Sequence, residues 1–369
     1  DYGIDIFIRD SLHLIKGKKI AILANNSSVN NKGINIVDIL NDNKNIDLVR
    51  IFSPEHGFKS DYSAGEKINN DNYKNVDIIS LYGKRKKPSK NYLFDLDFIV
   101  IDIQDIGSSY YTYVSTVTYM LEVAAENDIS IIILDRPNPI GRDVYGPIKD
   151  YNYFSFIGMH PVPVRHGMTI GELCLMINEE GWLKKDLKVK DMKIIKMETI
   201  PSQIEFDNWI PPSPNIPDIE TAFIYNGTCL FEGTNISEGR GTAHPFKWIG
   251  APWIKSNELA DYIKTLNYGS KVKVKQIEFI PKSSRAAKKP KYEGQVCYGI
   301  SIDLDDSIQP IKFTLKLLEY FYKEYEEFQF IHGTFFDTLY GNSYFRECLK
   351  NDCDLQTIFN GINQHVFDC

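Results

Sequence analysis

Five stretches of the chain, Lys19 to Ala24, Ile46 to Phe52, Val76 to Leu81, Phe98 to Ile103 and Ile129 to Leu134, are dominated by Ile, Val, Leu and Phe. A strand with water on one face alternates apolar and polar residues, so near-continuous apolar runs mark strands covered on both sides. Helix-like segments lie between them, and the expected fold class is α/β with a mostly parallel sheet. Two helices are legible in detail. Thr112 to Glu126 places Val114, Val117, Leu121, Ala124 and Ala125 at helical spacing, closed by Asn127 and Asp128. Thr169 to Glu180 opens with a capping box, Thr169 and Glu172, carries Leu173, Met176 and Ile177 as its apolar stripe, and ends at Gly181. Met120 and Met176 read as core filler.

In an open parallel sheet, ligands collect beyond the carboxyl ends of the strands, where the strand order reverses. The residues found there are Asn25 and Asn26, then Glu55 and His56, Tyr82 and Gly83, Gln104, Asp105 and Gly107, and finally Asp135, Arg136 and Asn138. Asn, Asp and Gly suit turns by themselves. Glu55, His56, Gln104 and Arg136 do not, and Glu55-His56 between Pro54 and Gly57 is the sharpest case. The segment 102–112, DIQDIGSSYYT, adds Tyr110 and Tyr111 ahead of a helix; its Ser108, Ser109 or Thr112 would cap that helix or sit beside a polar ligand at its N-terminus.

Beyond the first half, Arg165 and His166 follow the extended run Pro161 to Val164. The stretch WIPPSPNIP, 209–217, forbids regular structure and reads as a crossing between domains, taken here as 1–205 and 206–369, with Asn215 inside it. After it come an apolar segment 221–231, a helix near 256–266, strands near 272–280 and 296–304 and an aromatic helix near 310–325. The Gly-rich stretch 230–244, LFEGTNISEGRGTAH, gathers Glu232, Asn235, Glu238, Arg240 and His244.

Several function classes lack their signatures. The first strand is followed by LANNSSVNNKG rather than GxGxxG, so no nicotinamide or flavin cofactor is expected. There is no GxxxxGK[ST], no HExxH, no Cys-x-x-Cys and no GxSxG, and the seven histidines are isolated, so the expected metal set is empty and a Ser or Cys nucleophile is not favoured. A net charge of −7 argues against nucleic acid, and no apolar run is long enough to span a bilayer. The six scattered cysteines are expected to be reduced, which together with the lack of a signal-like opening points to the cytoplasm; a secreted or periplasmic chain with its leader removed is the alternative. What remains is carboxylates, arginines, amides and an abundance of aromatic residues, 22 Tyr, 21 Phe and 4 Trp, which is the equipment of carbohydrate chemistry.

The motif series SPEHGF (53–58), AGE (64–66), LYG (81–83), DIQDIG (102–107), YTY (111–113), DRPNPI (135–140), VRHGMTIGEL (164–173), PPSPNIP (211–217) and FEGTNISEGRGT (231–242) resembles the DUF1343 family, to which bacterial exo-β-N-acetylmuramidases of the NamZ type belong. The resemblance implies a Rossmann-like N-terminal domain, a smaller α/β C-terminal domain, and a cleft between them without metal or nucleotide. It also implies removal of terminal β-1,4-linked N-acetylmuramic acid from peptidoglycan-derived MurNAc-GlcNAc saccharides during cell-wall turnover and recycling. Its leading catalytic candidate falls on Glu55.

On this reading Glu55 is the general acid that protonates the departing glycosidic oxygen, with His56 orienting it. Glu232, Glu238 and Asp105, or the substrate's own 2-acetamido group, are the candidates for base or nucleophile. Muramic acid carries a lactyl carboxylate, for which the planar guanidinium of Arg240, Arg165 or Arg136 is the natural partner. Asn25, Tyr82, Gln104, Asp105, Tyr111, Asn138, His166, Asn215 and Asn235 complete the expected binding set. Two rival readings use the same residues: a metal-dependent hydrolase built on Glu55, His56, Asp105 and His166, and a muropeptide-binding protein without catalysis.

Overall fold

The structure, a computed structural model, describes residues 1–63, 71–83, 85–199 and 209–367. The AGE motif at 64–66 lies outside the described residues. By contacts the chain divides into two units, the first comprising 1–107, 111–142 and 167–214 and the second 108–110, 143–166 and 215–369. The first unit therefore runs on past residue 205 to Pro214, and residues 143–166 group with the second unit although they precede the proline crossing.

The first unit holds, in chain order, α1 (Gly3–Ile6), β1 (Lys19–Ala24), α2 (Ile36–Asn41), β2 (Asp47–Ser53), β3 (Asp71–Tyr73), β4 (Val76–Ser80), β5 (Phe98–Asp102), α3 (Tyr113–Asn127), β6 (Ser130–Leu134), α4 (Ile170–Glu179) and β9 (Met192–Ile195). Its strands form one sheet in the order β3-β4-β2-β1-β5-β6-β9, parallel except for the antiparallel β3–β4 edge. Ile20, Ile22 and Ala24 pack with Ile4 and Phe7 of the N-terminal turns and with Ile36, Val37 and Leu40 of α2. Their alternates Ala21 and Leu23 are equally buried. Both faces are thus covered, as the unalternating runs require.

Register does the positioning. Ala24 pairs with Asp102, Leu23 with Phe52, and Ser53 with Ser80, so strands β1, β2, β4 and β5 end at the same level. The order reverses between β1, whose other neighbour is β2, and β5. The loops after these strands open at that switch point.

α3 and α4 lie within a residue of the expected bounds. Asp128 takes the left-handed conformation (φ 56°) and its N–H closes α3 on the Ala124 carbonyl. The α4 capping box is formed as expected, Glu172 N–H to Thr169 Oγ1 at 3.2 Å and Thr169 N–H to Glu172 Oε2 at 2.9 Å. Met176 is a correction. The buried stripe of α4 is Ile170, Leu173, Cys174 and Ile177, and Met176, on the flank of that stripe, is 37% exposed rather than core.

The second unit contains the antiparallel pair β7 (Tyr145–Ile148) and β8 (Pro163–Arg165), helix α5 (Ile219–Thr228), β10 (Trp248–Ala251), α6 (Ser256–Thr265), β11 (Val272–Phe279), β12 (Cys297–Leu304), and helices α7 (Pro310–Glu324), α8 (Phe335–Tyr340), α9 (Tyr344–Lys350) and α10 (Leu355–Phe367). β10, β12 and β11 form an antiparallel sheet in that order. Phe313, Leu317 and Phe321 of α7 are fully buried, as are Phe336 and Phe345, so aromatic side chains make up much of this core. A disulfide joins Cys348 to Cys353 with the Cα atoms 5.0 Å apart. The expectation of reduced cysteines fails for this pair, because a turn between α9 and α10 brings the two close; Cys174, Cys229 and Cys297 are buried thiols.

His160, also buried in this unit, is pulled down to about 4 by burial, which disfavours its charged form. The unfolded chain takes up that proton near pH 6.5, so the folded state binds fewer protons between the two values and loses stability as pH falls. Urea titrations at pH 7 and pH 4.5 should show wild type losing roughly 2 to 3 kcal/mol more than His160→Gln over that interval.

Candidate active site

The loop after β2 is built as a tight turn. Gly57 N–H donates to the Pro54 carbonyl at 3.1 Å, and His56 and Gly57 both take left-handed backbone, φ 71° and 77°. Such a conformation is uncommon for histidine and needs support from its surroundings. Two bonds supply it. His56 Nδ1 lies 2.8 Å from the Tyr62 carbonyl, and Tyr62 N–H donates to the His56 carbonyl at 3.3 Å. A carbonyl only accepts, so Nδ1 carries the proton. The imidazole therefore ties the loop that carries Glu55.

Glu55 is buried, and its Oε2 accepts the hydroxyl of Thr112 at 2.7 Å. Thr112 occupies the N-cap of α3 without capping it by side chain. Its hydroxyl serves the carboxyl instead, so Glu55 sits beside the positive end of a fifteen-residue helix. The next residue, Tyr113, accepts Asn25 Nδ2 at 3.0 Å and donates to the Pro212 carbonyl. Asn25 Oδ1 in turn accepts from the backbone and hydroxyl of Ser27 at 3.0 and 2.6 Å. Tyr111 packs against Tyr113 with ring centroids 4.7 Å apart, and burial raises both phenols well above their ordinary range. Glu55, Thr112, Tyr113, Asn25 and Pro212 thus form a connected buried network at the switch point.

Several other members of the expected set in this unit are hydrogen-bonded to the scaffold. Gln104 Nε2 donates to the carbonyls of Asp105 and Pro137, both at 2.8 Å, and Asp105 Oδ2 accepts Gly107 N–H at 2.8 Å. Asn138 Nδ2 donates to the Met168 carbonyl and its Oδ1 accepts Ile140 N–H. Gly107, at φ 79°, leaves no room for a side chain, since a Cβ there would fall 2.3 Å from Asn138 Oδ1. Asp135 spends its carboxylate on the start of α4, through Thr169 Oγ1 and Gly171 N–H. Tyr82 stands half-buried after β4, its N–H 3.4 Å from Ser80 Oγ.

Arg136, expected from the sequence as a partner for the substrate carboxylate, is paired inside the protein. Both it and Asp102 are buried, and its Nε and Nη2 grip Asp102 at 2.5 and 3.0 Å while Nη2 also donates to the Val29 carbonyl at 2.9 Å. The guanidinium neutralises a carboxylate at the end of β5 and clamps the loop after β1.

In the second unit the Gly-rich stretch is likewise turned inward. Glu238 accepts Arg240 Nε on one oxygen and Lys291 Nζ on the other, both at 2.8 Å. Burial works to raise this carboxyl, and the charges of Lys291 and Arg240 outweigh it, holding the group below the usual carboxylate range. Glu238, expected from the sequence as base or nucleophile, is thus a buried carboxylate held by two cations. Arg240 also faces Glu232 at 3.6 Å, and Lys291 donates to the carbonyls of Phe231 and Ile236. The four charges balance to zero, which leaves Arg240 poorly suited to draw in an anion. Asn235 pins the segment at 327–329 through the Glu327 carbonyl and Gln329 N–H, and Asn215 donates to the Ala286 carbonyl. Gly239 (φ 75°) permits a backbone approach in which a Cβ would meet the His244 and Trp248 carbonyl oxygens at 2.7 Å. Arg165, in β8, is buried over the Phe223 ring and 3.4 Å from Asp143, and His166 beside it is buried.

Tyr113 lies outside the expected site set, its one signal being the YTY motif, and Thr112, read as a helix cap or a neighbour of a polar ligand, bonds Glu55 instead. Among the described residues no group of three His, Cys, Asp or Glu stands close enough to hold a metal ion, and no helix is long and apolar enough to cross a membrane.

Comparison with known proteins bears on this arrangement. Residues 20–220 match the family described as exo-beta-N-acetylmuramidase NamZ, N-terminal, and residues 223–367 match its C-terminal counterpart. The chain is 39% identical over 368 residues to the peptidoglycan beta-N-acetylmuramidase NamZ of Bacillus subtilis (strain 168), covering 97% of this chain and 86% of that protein. Two crystal structures of DUF1343 family proteins from Bacteroides fragilis NCTC 9343 are similar over 100% of this chain and 95% of theirs, one with TM-score 0.87 at 29% identity and the other with 0.80 at 32%.

Proposed function

The chain belongs to the NamZ family, and we propose that it is an exo-acting glycosidase releasing terminal β-1,4-linked N-acetylmuramic acid from the non-reducing end of peptidoglycan fragments, in cell-wall turnover and recycling. The observation that carries the mechanism is the buried Glu55 carboxyl held by Thr112 at the switch point of a parallel sheet. An acid fixed where loops converge supplies one half of glycosidic cleavage: it delivers a proton to the departing oxygen as the oxocarbenium-like transition state forms, while a second group or the substrate's acetamide attacks the anomeric carbon or activates the water that does. Thr112 holds the rotamer, and the His56–Tyr62 tether holds the backbone. For the second catalytic task the candidates are Glu232, Glu238, Asp105 and the substrate's own 2-acetamido group. For location the proposals are the cytoplasm and, as the alternative, a secreted or periplasmic site, where a bond such as Cys348–Cys353 persists.

The purified chain should liberate the chromophore from a chromogenic N-acetylmuramide and leave the matching N-acetylglucosaminide intact. Addition of a chelator should not change the rate. Hydrolysis of both sugars at similar rates would remove the muramoyl specificity, and loss of activity with chelator would favour a metal-dependent hydrolase.

A further inference from the structure

One face of the small sheet in the second unit is incompletely covered. Side chains of a strand alternate, so Tyr298, Ile300, Ile302 and Leu304 of β12 share a face. The last three are buried, and α6 turns Leu259, Ala260 and Ile263 inward, yet Tyr298 is 39% exposed. The cover ends at the first turn of α6, and a cavity of about 630 Å³ opens there, lined by Trp253, Lys255, Asn257, Gln276, Glu278 and Tyr298 among others. Glu278 is the direct cross-strand partner of Tyr298, and Gln276 pairs with Ile300, so both carry their side chains to that same face.

An exposed tyrosine on a sheet is ordinary. Here it shares a cavity with an indole fixed from behind. Trp253 Nε1 donates to the Tyr292 hydroxyl at 3.2 Å, its ring lies 5.2 Å from that of Tyr325, and the Tyr325 hydroxyl accepts Lys255 N–H at 3.2 Å. A rigid aromatic plane costs little to order on binding. Around the two rings stand an amide from each side, Asn257 and Gln276, and one charge of each sign, Lys255 and Glu278. Lys255 Nζ is itself paired with Glu258 Oε1 at 3.1 Å, so the lining has no spare cation for an anion and suits a neutral ligand with an apolar face and many hydroxyl or amide groups.

We propose that this cavity is a saccharide subsite taking an uncharged N-acetylhexosamine unit of a β-1,4-linked glycan, with the rings of Trp253 and Tyr298 against the sugar and Asn257 and Gln276 on its hydroxyl and acetamido groups. The choice of an amino-sugar glycan rests on the function proposed above; the saccharide chemistry rests on the lining. Sugar–aromatic packing and amide hydrogen bonds then act together on one pyranose ring.

The test uses the full chain and N,N′,N″,N‴-tetraacetylchitotetraose, which contains no muramic acid. Calorimetric titration should give saturable binding, Tyr298→Ala should weaken it about tenfold, and Gln276→Ala should weaken it severalfold. Turnover of the small chromogenic muramide by both variants should stay within about twofold of wild type, and Glu55→Gln should bind the tetrasaccharide as wild type does. Tyr298 is surface-exposed, so its truncation spares the core; Trp253→Phe, which keeps a ring but loses the Tyr292 bond, should give an intermediate loss. Absence of binding, or equal binding by wild type and Tyr298→Ala, overturns the subsite whether or not the muramide is hydrolysed. Binding with no muramide turnover would keep the subsite and defeat the proposed reaction instead.

Discussion

Glu55→Gln is expected to lower kcat on a muramide by about 10²- to 10⁴-fold while leaving the melting temperature unchanged. The amide keeps the shape of the carboxyl and an oxygen for the Thr112 hydroxyl to donate to, so the buried network survives. What it lacks is a transferable proton. Thr112→Val is the companion variant: it removes the 2.7 Å bond and little volume, and should cost roughly tenfold in kcat. Thr112→Ser, which keeps a hydroxyl for the Glu55 carboxyl, should restore the rate. A Glu55→Gln protein with most of its activity would transfer the acid role elsewhere.

The second large effect concerns stability. Arg136→Ala should destabilise the fold by about 3 to 5 kcal/mol, since it leaves the fully buried Asp102 carboxylate without its counter-charge. In a protein of this size that is a fall of about 4 to 6 °C in melting temperature. Removing both partners together, Asp102→Leu with Arg136→Met, should recover much of the loss, because no uncompensated charge is then left inside. A guanidinium that reads substrate behaves in the opposite way, with a raised KM and an unchanged melting temperature, and thermal melts beside kinetics separate the two.

The parallel sheet was legible because its central strands are buried on both faces and announce themselves as apolar runs. β9, MKII, and β3, DNY, were not, being short edge strands with polar residues. β7 and β8 are a brief pair containing Pro147 and Pro163, which reads as loop in one dimension. At the site, Glu55 and His56 stood out because no turn requires them. Arg136, Asn25, Asn138 and Asn235 looked equally available, and each turned out to be engaged by a partner distant in sequence or hidden in the backbone. Residue type shows that a side chain can bind; only the tertiary structure shows what it has already bound. Thr112 is the converse, a residue with a local explanation whose hydroxyl goes to a group 57 positions away.

The chain passes from one unit to the other at 107/108, 110/111, 142/143, 166/167 and 214/215. A scissor cut in the proline stretch would therefore not yield two self-sufficient pieces: the leading fragment would carry β7 and β8 as orphaned polypeptide, and the trailing one would lack them. Recombination that shuffled one half among homologues would meet the same obstacle, so the two halves are bound to be inherited, expressed and degraded as one.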